Sequence, residues 1–245
     1  MKKINFNLGG GASSSLKAFT LAEVLITLAI IGVVAALTIP SLVLHSRRTE
    51  IESRLKKSYT QLNQAFRLAI ADYGPVKGWT YGTKDNKSHA IRFAQTYFVP
   101  YLKIAKDCTN SDSPDCNYTY KNLRSDTIEH SQNSAIYYLA DGTYFSIHFT
   151  SNDHAQIFVD CNGDKKPNIL GYDIHTYTVS PIWNSTNKGL LGVSSCSTDR
   201  NCACIKSGNG AGCIKIIIQN GWKIPTEDEY VRLGFPKSDY PYSNL

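Results

Sequence analysis

Glu23 is the one charged side chain between Ala18 and Leu44, in the run AFTLAEVLITLAIIGVVAALTIPSLVL. A carboxylate in a membrane-length apolar helix costs roughly 2.5–3.5 kcal/mol, so Glu23 calls for a partner or a task. A second group of oxygens lies in DCNGDKKPNILGYD, residues 160–173, where Asp160, Asn162, Asp164 and Asn168 follow a largely alternating spacing. Calcium takes about six to eight oxygens, and alternate positions on a tight loop can aim several at one centre. The match to an EF-hand fails, because Lys165 stands where that loop needs Gly and Gly171 where it needs an acid. Two readings therefore stand: a calcium site, or an Asn-Gly turn whose side chains bond their own backbone.

The cysteines form the third group. Cys108 and Cys116 flank TNSDSPD, Cys196, Cys202, Cys204 and Cys213 cluster in CSTDRNCACIKSGNGAGC, and Cys161 stands apart. The cluster lacks the paired CxxC knuckles of a zinc ribbon. Behind a membrane anchor, where disulfides persist, Cys108 and Cys116 are expected to pair. Cys202 and Cys204 are too close to bond each other, so each is expected to bond one of Cys196 and Cys213, in either order. Glycines 208, 210 and 212 sit between cysteines rather than opening a helix after a strand, which predicts a flexible hairpin tip instead of a nucleotide loop. No GxSxG, HExxH or Walker pattern occurs, and the six His are scattered. Pairs such as His148 and His154 are close enough in sequence to meet in space, but isolated sheet histidines are far more often structural or solvated. The expectation is a protein that is not an enzyme.

The elements that carry these groups follow from patterning. The apolar run is long enough to cross a hydrocarbon core about 30 Å thick and too long for a signal-peptide core of about 7–15 residues. In front of it, MKKINFNLGGGASSSLK carries Lys2, Lys3 and Lys17 and no acid, a basic leader expected to stay on the cytoplasmic side. Pro40 removes one helix donor and predicts a kink. Beyond it, Ile51, Leu55, Tyr59, Leu62, Phe66, Ala69 and Tyr73 recur at helical spacing, and Gly74-Pro75 supplies a stop. The segment 89–105 predicts a short helix with Phe93, Tyr97 and Leu102 inward and Pro100 interrupting it, followed by a polar loop over 106–122. AIYYLA, Asp141-Gly142 and TYFSIHF predict a two-residue hairpin, with AQIFVD and DIHTYTV extending an antiparallel sheet whose apolar face lies on the amphipathic helix. Residues 214–218 read as a buried strand, and the Pro- and Tyr-containing stretch after Phe235 as an irregular exposed end.

Composition suits one sizeable domain beyond the anchor, with 42% hydrophobic and 19% charged residues. The formal charge of +6 falls to +3 without the three leader lysines, which argues against a nucleic-acid partner. Tyr, at 15 residues against 9 Phe, predicts exposed or interfacial β-structure.

A basic leader ending in a small residue, then Phe19-Thr20-Leu21-Ala22-Glu23 and an apolar run with Pro40 about twenty residues in, resembles the prepilin signature of type IV pilins and type II secretion pseudopilins. The resemblance implies an α+β fold, with a long N-terminal helix, membrane half plus amphipathic half, packed on an antiparallel sheet. It implies a leader at 1–18, a transmembrane and filament-core helix at 19–44, and an extracytoplasmic head at 45–245. It further implies cleavage between Ala18 and Phe19 by a prepilin peptidase, N-methylation of Phe19, and assembly with copies of the chain and other pilins through an inner-membrane platform. Glu23 would then be the fifth residue of the mature chain, able to meet the amine of a neighbouring Phe19 so that two costly charges neutralise each other. The family's usual residue before the cut is Gly, and this chain has Ala18, which is also small. The 160–173 segment looks like the DxNGxKxPNxxGxD stretch of many prepilin-type proteins, and GWKIP near the end is similar to a short element in some of them. Localisation would be a bacterial cytoplasmic membrane, then a filament in the envelope or at the surface. No cofactor other than calcium is expected. The alternatives are a plain membrane anchor or a cleaved secretory signal at the N-terminus, and, for the whole chain, a monomeric anchored module binding calcium or a surface ligand, or a secreted enzyme with an unrecognisable site.

Overall fold

A computed structural model describes residues 20–110, 113, 116, 118–129, 133–182, 191–193 and 203–243. Ala18, Phe19, Cys196 and Cys202 lie outside the described residues. By internal contacts the chain forms two compact units, Met1–Ser46 and Arg47–Leu245.

Helix α1, Leu21–Tyr73, contributes to both units and continues through Pro40. In the first unit its large apolar side chains, from Leu21 to Leu44, are exposed, and the helix is long and apolar enough to cross a membrane. In the second unit the apolar stripe turns inward: Ile51, Leu55, Leu62, Phe66 and Ala69 are buried, Tyr59 is half-buried and Tyr73 stays half-exposed against Tyr97. Gly74 ends the helix with φ +77° and an N–H bond to Ile70 O at 2.9 Å, the left-handed cap that a side chain would strain. Helix α2, Lys87–Tyr97, is capped by Asn86, whose side chain accepts from His89 N, and buries Phe93 and Tyr97, while Pro100 falls in the 3-10 turn Val99–Tyr101.

Eight strands follow among the described residues: β1 Ile104–Asp107, β2 Thr119–Lys121, β3 Thr127–Glu129, β4 Ala135–Leu139, β5 Tyr144–Ser151, β6 His154–Asp160, β7 Ile174–Val179 and β8 Gly192–Val193. Six make one antiparallel sheet in the order β1-β4-β5-β6-β7-β8, and β2 and β3 pair separately. The fold is thus α+β and pilin-like. Alternation divides the main sheet into two faces. Tyr137, Phe145, Ile147, Phe149, Ile157, Val159, Tyr177 and Val179 join the α1 stripe in one core, with Tyr59 and Tyr177 rings 5.5 Å apart. On the reverse face Tyr144, Phe158 and Ile174 pack with Tyr118 and Tyr120 from the β2 segment. Burying one such side chain contributes about 1.5–3 kcal/mol, so the stripe alone is a large share of the head's stability.

Several sequence expectations change. The 106–122 stretch is not one loop, since β1 and β2 begin and end it. The Asp141-Gly142 hairpin closes three residues rather than two, through Leu139 N to Thr143 O at 2.8 Å, with Gly142 at φ +85°. Residues 214–218 are not a strand; helix α3, Cys213–Gln219, buries Cys213, Ile214, Ile216 and Ile217. A short apolar run, here broken only by Lys215, fits either element, and packing against the core decides it. After α4, Glu227–Arg232, the tail is not an exposed end: Tyr242 is buried and its hydroxyl donates to Gly171 O at 2.8 Å. Tyrosine is likewise mainly a core residue, with Tyr118, Tyr120, Tyr137, Tyr144, Tyr177, Tyr230 and Tyr242 buried. The hydroxyls make this tolerable where they find acceptors, as Tyr230 does at Cys204 O, 2.6 Å away.

Candidate functional site

At the start of α1, Thr20 and Glu23 form a reciprocal cap. Glu23 Oε2 accepts from Thr20 N at 2.9 Å and from Thr20 Oγ1 at 3.0 Å, and Thr20 Oγ1 accepts from Glu23 N at 3.2 Å. The first turn of a helix leaves donors unpaired, and a Thr-x-x-Glu box satisfies two of them. Both residues are exposed, and the acid sits at the positive end of the helix dipole, where negative charge is stabilised. Thr20-Leu21-Ala22-Glu23 in front of an apolar run is the sequence signal for this cap.

The second site is the turn between β6 and β7. Asp160 pairs with Ile174 in the strand register, and Cys161 N bonds Asp173 O at 3.1 Å, so the two ends of the turn are adjacent. This brings the carboxylates of Asp160 and Asp173 together, both fully buried. Asp160 Oδ1 accepts from Asn162 N at 2.9 Å, and Oδ2 accepts a short bond from Tyr118 Oη. Asp173 Oδ1 accepts from Ile169 N at 2.6 Å, and Oδ2 from Asn168 N at 2.9 Å and Asn162 Nδ2 at 3.4 Å. None of the ion pairs among the described residues involves either acid. Burial pushes the Asp173 carboxyl up to about 6, against the pull of its backbone donors, and burial together with the nearby Asp173 raises Asp160 well above the ordinary range. Burial, then the Asp160 charge, raise the Tyr118 hydroxyl far out of the physiological range, which keeps it a donor.

Of the four oxygen-bearing residues named from the sequence, Asp160 and Asn162 are buried and Asn168 half-buried in this turn, but Asp164 is exposed and accepts from Tyr138 Oη at 2.8 Å. Asp173 takes the place in the cluster that spacing assigned to Asp164. It closes the DCNGDKKPNILGYD segment, and its role depends on the strand pairing that folds the segment back on itself.

The turn is clamped from both sides. Lys121 N bonds Asn168 O at 2.9 Å and Leu170 N bonds Lys121 O at 2.8 Å, tying it to β2. Gly171, at φ +97°, leaves no room for a Cβ, which would lie 2.8 Å from Cys213 Sγ. Cys213 is disulfide-bonded to Cys204, and Cys108 to Cys116. Cys161 remains a buried free thiol facing Ile51 O at 3.8 Å, its pKa raised by burial. Gly208, Gly210 and Gly212 are buried, so the glycine run is a packed strap over the turn and not a flexible tip.

A family of unknown function (DUF6613) matches residues 41–230. The chain belongs to that family. The matched span of this DUF6613 protein covers the amphipathic half of α1, the sheet and the carboxylate turn. The prokaryotic N-terminal methylation motif matches residues 14–39, so the chain carries a prepilin signal of the type IV pilin and pseudopilin type, and Ala18, Phe19 and Glu23 fall within it. No curated protein and no solved structure matches the chain.

Proposed function

We propose that the chain is a structural subunit of a type IV pilus-like or type II secretion-like filament. The observation that carries this reading is the methylation motif over residues 14–39, lying on an apolar helix whose one charge between Leu21 and Leu44 is Glu23. A prepilin peptidase removes residues 1–18 on the cytoplasmic face, and Phe19 becomes the methylated terminus. Until assembly, residues 19–44 anchor the chain in the cytoplasmic membrane with the head, from residue 45, outside. In the filament the exposed apolar side chains pack against other copies and other pilins in place of lipid, with an inner-membrane platform driving insertion.

Thr20 holds one oxygen of Glu23 in the free subunit, and the other is available to the Phe19 amine of a neighbour. Charge neutralisation in a low-dielectric core then favours assembly over simple anchoring. The test is Glu23→Ala in cells, read by in vivo cross-linking and membrane fractionation. The variant is expected to insert in the membrane and to lose the ladder of cross-linked multimers. Unchanged multimers in Glu23→Ala would sink assembly through Glu23, and a wild type that gives no multimers would favour a monomeric anchored module.

A further inference from the structure

Arg47 and Arg48 follow Leu44 by three and four residues, on the flank that the proposed topology carries across the membrane, where Lys and Arg are ordinarily scarce. Arg48 is engaged within the head: its guanidinium lies 3.4 Å from Glu52 Oε1 and donates to Ile224 O, while Glu52 Oε1 accepts from Ile224 N at 2.9 Å. Arg47 is exposed and makes no ion pair among the described residues. The β6–β7 turn brings two more cations to the same level of α1. Lys165 Nζ lies 4.0 Å from Glu50 Oε1, an oxygen that Arg54 Nε already holds at 2.8 Å. Lys166 beside it is exposed and, among the described residues, has no ion pair either. Glu50 and Glu52 are thus neutralised by Arg54 and Arg48, and Arg47, Lys165 and Lys166 are left as surplus positive charge. Of the other acids near by, Asp164 accepts from Tyr138 Oη at 2.8 Å. On α4, Glu227 pairs with Lys237 at 2.9 Å, Glu229 Oε2 accepts from Thr226 N at 2.7 Å, and the exposed Asp228 is matched in charge by Lys223.

We propose that Arg47, Lys165 and Lys166 form a basic rim on the head that binds the anionic phospholipid headgroups of the membrane the chain spans. The rim rests on the membrane anchoring given under the proposed function and not on filament assembly. Six residues of helix rise about 9 Å, so Glu50, and Lys165 with it, stands about one Debye length at physiological salt beyond the end of the apolar run. An anionic surface attracts cations at that range, each contributing about fivefold to binding, and lysine ammonium groups on long stems reach phosphate as point charges. The tip that carries the lysines does not swing freely. Lys121 N bonds Asn168 O at 2.9 Å and Leu170 N bonds Lys121 O at 2.8 Å, so headgroup contact at Lys165 and Lys166 is passed to the sheet and sets how the head stands on the membrane before assembly.

The test is lysine footprinting of the full chain reconstituted head-outward in phosphatidylglycerol and in phosphatidylcholine vesicles, with acetylation of each lysine followed by peptide mass spectrometry. Lys84 is the internal control. Asp85 N bonds Phe149 O at 3.1 Å, whereas Tyr144 at the other end of β5 pairs with Asp160, so Lys84 lies at the opposite end of the sheet from the turn. Lys165 and Lys166 are expected to react at least roughly threefold more slowly in phosphatidylglycerol, with Lys84 unchanged. Salt at 1 M, where the Debye length is about 3 Å, is expected to remove the difference. Arg47→Gln is expected to lessen the protection of both lysines, and full protection in that variant would overturn the shared rim. Inorganic phosphate added to the phosphatidylcholine vesicles is expected to change nothing; protection by phosphate alone would refute a membrane source. Equal rates in the two lipids, from protein that floats with both kinds of vesicle, would overturn the rim alone. Protein that floats with neither would overturn the anchoring and the rim together.

Discussion

Replacing Gly210 by Ala tests whether the glycine strap is a packed support for the carboxylate turn. Gly210 has φ +91°, and a Cβ there would run into Leu170 O, with Leu170 C at 2.8 Å and Leu123 Cγ at 3.1 Å. The neighbour is backbone of the turn itself, which cannot swing aside as a side-chain end would. Gly221 is the matched control: it also has positive φ, at +70°, but nothing lies within 4 Å of the position a Cβ would take. Both substitutions incur the left-handed backbone cost of roughly 1–2 kcal/mol. Gly210→Ala adds an overpacking cost of about 1–3 kcal/mol. For a domain of this size each kcal/mol moves the melting temperature by about 2–4 °C, so Gly210→Ala should melt about 2–12 °C below Gly221→Ala. The assay is thermal unfolding of the two full-length variants in the same detergent, followed by far-ultraviolet circular dichroism. Equal melting temperatures would refute the close packing and restore the flexible tip expected from sequence.

Phe66→Ala removes a fully buried ring set between Trp79 and Phe98 and should cost about 3–5 kcal/mol in urea unfolding, whereas Leu68→Ala, at an exposed position on the same helix, should cost far less. His148 is held neutral by burial and by His154, against the opposing charge of Asp85, which brings its pKa down to about 4 from 6.5. Because the unfolded chain takes up this proton at higher pH, the stability His148 protects is fully present above pH 6.5 and is lost as pH falls toward 4. Unfolding midpoints measured across that window should fall in wild type by the equivalent of up to about 3 kcal/mol and fall less in His148→Gln.

Much of this fold is legible in residue patterning. The stripe from Ile51 to Ala69 and the alternation in β4 through β7 name their own buried faces, because a helix and a strand impose different periods on the same apolar residues. Patterning fails where a run is too short to show its period. The run at 214–218 is apolar except for Lys215, so only the Cys213 tether and the core it meets select a helix. It also fails where partners come from afar. Asp173 joins Asp160 only through the β6–β7 pairing, and Tyr118 reaches Asp160 from 42 positions upstream, so spacing alone chose the exposed Asp164 instead. At the other site the reverse holds. Thr20 and Glu23 are three residues apart, and their cap is a local geometry that the sequence already spells.

The claim that the chain is a processed filament subunit rests on what happens at Phe19. Intact-mass and N-terminal peptide spectrometry of the protein recovered from its native membrane should find a chain beginning with N-methylated Phe19 and lacking residues 1–18. A chain that retains Met1, or one cut beyond Pro40, would contradict it.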